Sequence, residues 1–251
     1  MGPADPAVTA FLVATLASAE LDDLTVRLYD AAPLSYVPQR GLFDWERDWY
    51  AESLPPAPAR VLVTAAGSGR EVAALIGLGY VVDAFEPVPR LAAVCASLPR
   101  FGTVVVADHG DFVRAARGDG HGPAAPLGAG TYDAVVIGWG SLAHVLEAKD
   151  RTSLLSACRA VCPRGPILAS YFTEQPERAP GLTACAARVL GGGVRRLRRL
   201  PPPPTGVSLL WHAGFRHRYR EAEIHALADS LGEGVVVTAE PYGHAVFIPS
   251  R

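Results

Sequence analysis

The sequence predicts an α/β fold built around a mostly parallel sheet, and three observations carry that prediction. Short apolar runs suited to buried parallel strands alternate with stretches of helical period. The turn Gly67-Ser68-Gly69 follows one of these runs, 61–63, directly and opens a helix. Near the end, 235–238 and 244–248 read as two final strands that follow a helix at 219–231.

Each element has a local reason. The apolar stretch 8–16 has no basic residue before it and is too short to span a membrane, so it reads as a helix packed on the domain. The first 58 residues read as one or two helices and an irregular segment, closed by the stiff linker Pro55-Pro56-Ala57-Pro58. Within them lie Tyr29, Tyr36, Phe43, Trp45, Trp49 and Tyr50, the last four interleaved with Asp44, Glu46, Arg47 and Asp48. Trp45 and Trp49 share a face if this segment is helical. Two readings stand for these rings: glue that holds the extension to the sheet, or a lid that excludes water from a crevice.

After the glycine turn, a second strand ends on Glu86. A carboxylate there, about 20 residues beyond the glycines, is placed to accept hydrogen bonds from both hydroxyls of a ribose. The ligand class is therefore an adenosine derivative. A helix at 89–98 leads to a strand at 103–107 and then Asp108-His109-Gly110-Asp111-Phe112, where the two acids also suit a helix cap. The strand 132–137 runs into Gly138-Trp139-Gly140-Ser141-Leu142-Ala143-His144, at the strand end where open α/β sheets bind ligands. A helix at 148–161 places Leu154, Leu155, Cys158 and Val161 on one face, and Pro163-Arg164-Gly165-Pro166 ends it before a strand at 167–172. An insertion at about 173–206 carries Gly191-Gly192-Gly193, then Arg195, Arg196, Arg198 and Arg199, then four prolines from Pro201. Its arginines read as a solvated, mobile face, or as a grip on an anionic acceptor if they face the crevice.

At 251 residues and 49% hydrophobic content the chain supports a large core in one α/β domain with additions. A net charge of −2 gives no general attraction to nucleic acid or to an anionic membrane, which favours a small-molecule partner. The four cysteines lack zinc-site spacing, so no metal is expected and reduced thiols in the cytoplasm are the simplest reading.

A dinucleotide site usually carries a third glycine three residues on from the second. Here Arg70-Glu71-Val72 stands there instead, and Glu71 places a carboxylate beside the position of a pyrophosphate. A sulfonium cofactor without phosphate tolerates that acid. The stretch Val61-Leu62-Val63-Thr64-Ala65-Ala66-Gly67-Ser68-Gly69-Arg70-Glu71-Val72 resembles the first motif of class I S-adenosylmethionine-dependent methyltransferases, and the order of elements beyond residue 58 is similar to theirs. It departs at Val63, where many members have an acid, and at Ala65, where many have glycine. The resemblance implies a Rossmann-like three-layer sandwich, a mostly parallel seven-stranded sheet with a terminal antiparallel hairpin, preceded by an N-terminal helical extension. It divides the chain into an extension at 1–58 and a cofactor-binding domain at 59–251.

The resemblance also implies S-adenosylmethionine as cofactor, S-adenosylhomocysteine as product, and a small-molecule acceptor. Ala65, Gly67, Gly69, Glu86, Pro87, Asp108, His109, Gly138 and Trp139 are the candidate cofactor residues, with Asp108 the usual partner of the adenine amino group and Asp111 the alternate. Tyr36, Trp45, Trp49 and Tyr171 are candidate acceptor contacts. His144, just past the fourth-strand loop, is the first candidate base, with Tyr171, His212 and His217 behind it. The turn also resembles that of thiopurine-methyltransferase-like enzymes, and the absence of an Asp/Asn-Pro-Pro-Tyr/Phe segment after the fourth strand moves the expectation toward small metabolites. The alternatives are an NAD(P)-dependent oxidoreductase, or a non-catalytic methyltransferase-like binding subunit.

Overall fold

Five parallel strands and an antiparallel pair form one seven-stranded sheet in the computed structural model, which describes residues 4–32, 41–99, 102–174 and 181–250. At its centre β1 (Arg60–Thr64) lies between β2 (Val81–Glu86) and β4 (Ala134–Ile137). Outside them run β3 (Val104–Val106) and β5 (Ile167–Tyr171). The last two strands, β8 (Gly234–Thr238) and β9 (Gly243–Ile248), form the expected hairpin, with β9 antiparallel to β5 so that Leu168 sits opposite Val246. Strand order reverses between β1 and β4, which opens a crevice at their carboxyl ends.

Successive strand residues point to opposite faces, and this sorts the core into two layers. Val61 and Val63 meet α4 (Arg70–Gly77) and α5 (Pro89–Ala96) through Val72, Leu75 and Cys95. The same face carries Trp49, Tyr50 and Leu54 of α3 (Asp44–Ser53) and its flank, so this helix of the extension belongs to the sandwich. Leu62 points the other way, toward Phe112 of α6 (His109–Ala116), Leu127 of α7 (Ala125–Gly128), Leu154 and Cys158 of α8 (Ala148–Val161), and Ile224 of α10 (Glu221–Leu231).

A third, smaller core lies apart from the sheet and joins the two additions. It gathers Leu21 of α2 (Ser18–Ala31), Leu209 of β6 (Val207–Leu210), Phe215 of β7 (Gly214–His217) and Leu146, with Leu12 and Val13 of α1 (Pro6–Thr15) against them. The β6–β7 hairpin is absent from the sequence reading. Along α1 runs α9 (Leu182–Leu197), so close that a Cβ on Gly191 would stand 2.5 Å from the Cβ of Ala14.

The arginine run is corrected by this packing. Arg195 is buried, and it donates to the carbonyls of Val13 at 3.1 Å, Leu16 at 3.0 Å and Pro201. Arg198 donates to Thr15 O at 2.8 Å and pairs with Glu20 at 2.8 Å. The last carbonyls of a helix have no partner within it, and two guanidinium groups satisfy those of α1. Arg196 and Arg199 remain exposed as expected. Among the described residues no helix is long and apolar enough to cross a membrane.

Replacing Arg195 with alanine strands these buried carbonyls and should lower unfolding free energy by about 1–3 kcal/mol in urea titration. Arg196→Ala should change it by less than about 0.5 kcal/mol.

Candidate active site

The glycine turn is pinned where β1 leaves the sheet, because Ala66 N–H donates to Phe85 O of β2 at 3.0 Å. Ala65, Gly67 and Gly69 all take left-handed backbone conformations, at φ of 48°, 57° and 91°. For Ala65 this costs roughly 1 kcal/mol that glycine would avoid. The two glycines have different tasks. A Cβ on Gly69 would stand 2.6 Å from Leu98 and 2.9 Å from Cys95, so Gly69 lets α5 pack; a Cβ on Gly67 would meet none of the described residues within 4 Å, so its backbone is uncovered by them.

Glu86 closes this turn from the end of β2. One carboxylate oxygen accepts from Gly67 N–H at 2.8 Å and the other from Val88 N–H at 3.0 Å, across the half-buried Pro87. The group is 4% exposed and has no ion-pair partner among the described residues, and burial pushes its pKa up to about 7 against those two hydrogen bonds. Each oxygen keeps lone-pair capacity for a further donor.

Asp108 and Asp111 form the reciprocal cap of α6: Asp108 accepts from Asp111 N–H at 2.7 Å, and Asp111 from Asp108 N–H at 3.1 Å. The cap occupies one oxygen of Asp108. His109 follows, its ring edge-on to Phe85, its buried Nε2 without a partner, and its pKa pushed down to about 4 by burial. Phe112 is core, stacked on Phe85.

On the other side of the turn, a buried charge knot joins three elements. Arg70, at the start of α4, makes a bidentate pair with Glu46 of α3 at 2.6 and 2.7 Å. Glu71 accepts from Tyr50 O–H at 3.1 Å and from Trp139 N–H at 2.9 Å. Burial raises the Glu71 pKa while Arg70 pulls it back. Gly138 belongs to the same junction, since its Cβ would stand 2.8 Å from Thr64 O and 3.2 Å from Glu71. Its missing side chain serves the protein's own close packing.

The knot holds an aromatic wall. Trp45 stacks on Trp49 at 6.0 Å and tilts against Trp139 at 5.5 Å and His244 at 5.1 Å, while Tyr242 and Phe43 also meet Trp139. Indole N–H groups of Trp45 and Trp49 are buried without acceptors.

His144 ends a 3₁₀ turn, Ser141–His144, under the cap formed by α1, α2, α9 and the β6–β7 hairpin. Its Nδ1 lies 2.7 Å from Phe215 O, and a carbonyl only accepts, so Nδ1 carries the proton. Burial drives its pKa to about 4, so Nε2 is an acceptor, and Tyr29 O–H donates to it at 3.1 Å. Burial and the charge of Glu86 raise Tyr29 itself to about 12. Tyr29 stands out in the sequence only as one ring among several, because its partner is 115 residues away.

Other expected residues fall elsewhere. Tyr171 is a core residue, edge-on to Tyr219 and tight against Gly243, because its side chain turns into the sheet layer. His217 is structural, bound to Thr205 O and Glu223. His212 lies between β6 and β7, and Tyr36 lies outside the described residues. Among the described residues no group of three or more His, Cys, Asp or Glu side chains converges to hold a metal ion.

No protein-family model and no curated protein matches the sequence. Solved structures do match the fold. A Burkholderia thailandensis 1,6-didemethyltoxoflavin-N1-methyltransferase, solved with 1,6-didemethyltoxoflavin and S-adenosylhomocysteine, is 16% identical with a TM-score of 0.58 over 92% of this chain and 88% of its own. The CcbJ methyltransferase of Streptomyces caelestis is 16% identical, TM-score 0.56, over 89% of this chain and 98% of its own. A Rhodobacter sphaeroides protein, described provisionally as a zinc-dependent alcohol dehydrogenase, is 15% identical, TM-score 0.58, over 90% of this chain and 98% of its own. The class defined by this architecture is the Rossmann-like methyltransferase fold. At these identities the likeness establishes fold, and the site must carry the function.

Glu46→Gln breaks the buried pair and leaves Arg70 without its main counter-charge, which should cost about 3–5 kcal/mol in denaturant titration. Tryptophan emission should shift to the red at lower denaturant than in the native protein.

Proposed function

We propose that this protein is an S-adenosylmethionine-dependent methyltransferase that acts on a small-molecule acceptor. The observation that carries this reading is the pairing of Gly67 with Glu86: backbone with no described residue against it, clasped by a buried carboxylate that has spare acceptor capacity and no cation among the described residues. A ribose with two hydroxyls suits that arrangement. The unpartnered Nε2 of His109 and Oγ1 of Thr64, near the same strand ends, are further polar atoms that a ligand can engage. S-adenosylmethionine supplies an electrophilic methyl group on its sulfonium and leaves as S-adenosylhomocysteine.

The chain's own residues divide the remaining work. Glu86 and the Gly67 turn would hold the nucleoside, and the Asp108–His109 corner would border the adenine. Trp139, backed by Trp45 and Trp49, would wall the crevice and keep water out, which unites the glue and lid readings of the extension. Tyr29 and His144 would orient the acceptor through the tyrosine oxygen. A neutral imidazole with a pKa near 4 is too weak to ionise an alcohol in advance. It suffices, through Tyr29, to take a proton from the strongly acidic oxonium that develops when a hydroxyl oxygen accepts a methyl group. A dinucleotide fits less well, because Val72 fills the place of the third glycine beneath the helix and Glu71 adds a buried carboxylate there.

Calorimetric titration should show S-adenosylhomocysteine binding and no binding of NADH; the reverse result would overturn the proposal. Glu86→Gln should weaken S-adenosylhomocysteine by roughly 1.5–3 kcal/mol. The pH dependence has a definite sign. Ribose hydroxyls donate to the ionised carboxylate, so binding displaces the proton that free Glu86 holds below about 7. Affinity should rise with pH up to about 7 and then level, with proton release read from buffers of different ionisation enthalpy, and Glu86→Gln should flatten that rise.

A further inference from the structure

Arg216 on β7 has no acidic partner among the described residues. Its guanidinium lies 4.2 Å from the centre of the Phe172 ring, and its Nε is buried without an acceptor. The arginines most deeply buried in this molecule all face oxygens: Arg70 meets Glu46, Arg151 the carbonyls of Val145 and Leu146, and Arg195 the end of α1. A half-buried cation without a counter-ion is destabilising on its own, so a ligand that brings the charge is the natural complement.

Its place in the fold says which ligand. The preceding residue, Phe215, accepts the His144 N–H, and the charge of Arg216 bears on both His144 and Tyr29. On its other side Phe172 meets Trp139 edge to face at 6.2 Å, while Gly140 leaves room for that ring, since a Cβ there would stand 2.7 Å from it. Arg216 therefore stands between the Tyr29–His144 pair and the tryptophan wall, on the cap rather than on the glycine turn. The Phe172 ring covers the guanidinium at 4.2 Å, and a guanidinium carries several N–H donors suited to an oxyanion.

We propose that Arg216 binds an oxyanion of the methyl acceptor, so that the acceptor class is a small molecule bearing a carboxylate or a phosphate. This rests on the methyltransferase reading above. The charge selects among acceptors, and the aromatic wall accommodates the rest of the molecule.

The test titrates S-adenosylhomocysteine-saturated protein with benzoate, phenyl phosphate and neutral benzamide by calorimetry. One or both anions should bind roughly ten- to a hundredfold more tightly than benzamide. The tighter anion identifies carboxylate or phosphate as the recognised group. Arg216→Gln should abolish the preference and Arg216→Lys should keep part of it, because charge survives and the fork does not. S-adenosylhomocysteine affinity should stay unchanged in both variants, and the unfolding midpoint should not fall in Arg216→Gln, which removes the unpaired charge. If Arg216→Gln does not fold, the partial loss in Arg216→Lys decides. Benzamide binding as tightly as the anions, no binding of any probe, or a preference that survives Arg216→Gln overturns the proposal. Loss of S-adenosylhomocysteine affinity in the variants would also overturn it, by placing Arg216 on the donor. Failure of the native protein to bind S-adenosylhomocysteine strikes the methyltransferase reading instead, and the same anion titration without it then tests Arg216 alone.

Discussion

The buried pair between Arg70 and Glu46 fixes the geometry on which the crevice depends. Arg70 opens the helix after the glycine turn, Glu46 sits in the first turn of α3, and both side chains are largely withdrawn from water. Charges taken out of water tolerate little misplacement, so α3 has one seat on the sheet. Glu71, next along α4, fastens the β4 loop through Trp139 N–H and α3 through Tyr50 O–H. Two carboxylates and one guanidinium thereby set the positions of the glycine turn, Trp139 and the tryptophans of α3 relative to one another. Glu71 has an architectural task at the place where a dinucleotide-binding protein would need a pyrophosphate site.

The other side of the crevice is closed by different physics. The cap of α1, α2, α9 and the β6–β7 hairpin holds together by its own small apolar core and by arginines on the open end of α1. It meets the sheet domain through hydrogen bonds at His144, and within it the Thr25 hydroxyl of α2 accepts from Phe215 N–H of β7 at 3.0 Å. Beneath it, burial shifts the ionisable groups toward neutrality: Glu86 to about 7, and His109 and His144 to about 4. Arg216, a cation without an acid beside it among the described residues, stands out against these shifted groups.

The sheet was legible because its signals are local. The apolar runs around Val61 and Val135, the stops at Pro163 and Gly232, and the stripe of Leu154, Leu155 and Cys158 each report on a few neighbouring residues, and the structure places strands and helices there within one or two positions. The place of Glu86 at the end of the second strand was legible too, since the strand–turn–helix–strand order fixes where that strand ends. What failed were judgements about surfaces. Tyr171 looks like a strand-end aromatic and is core, and Arg195 looks like part of a solvated run and is buried. An arginine seeks whatever carbonyls its neighbours leave unpaired, and no local pattern announces those of α1.

The sequence alone therefore determined the α/β class, the strand order around the glycine turn and the acid that closes it, because backbone period and turn chemistry operate over a few residues. Tertiary structure alone decided that two additions, separated in sequence by the first five strands of the sheet, meet over the crevice. Only there does Tyr29 find His144, and only there does Arg216 come to rest on Phe172 without an acid. Those pairings arise from apolar burial between distant segments, which constrains volume and area but leaves no periodic trace in the chain.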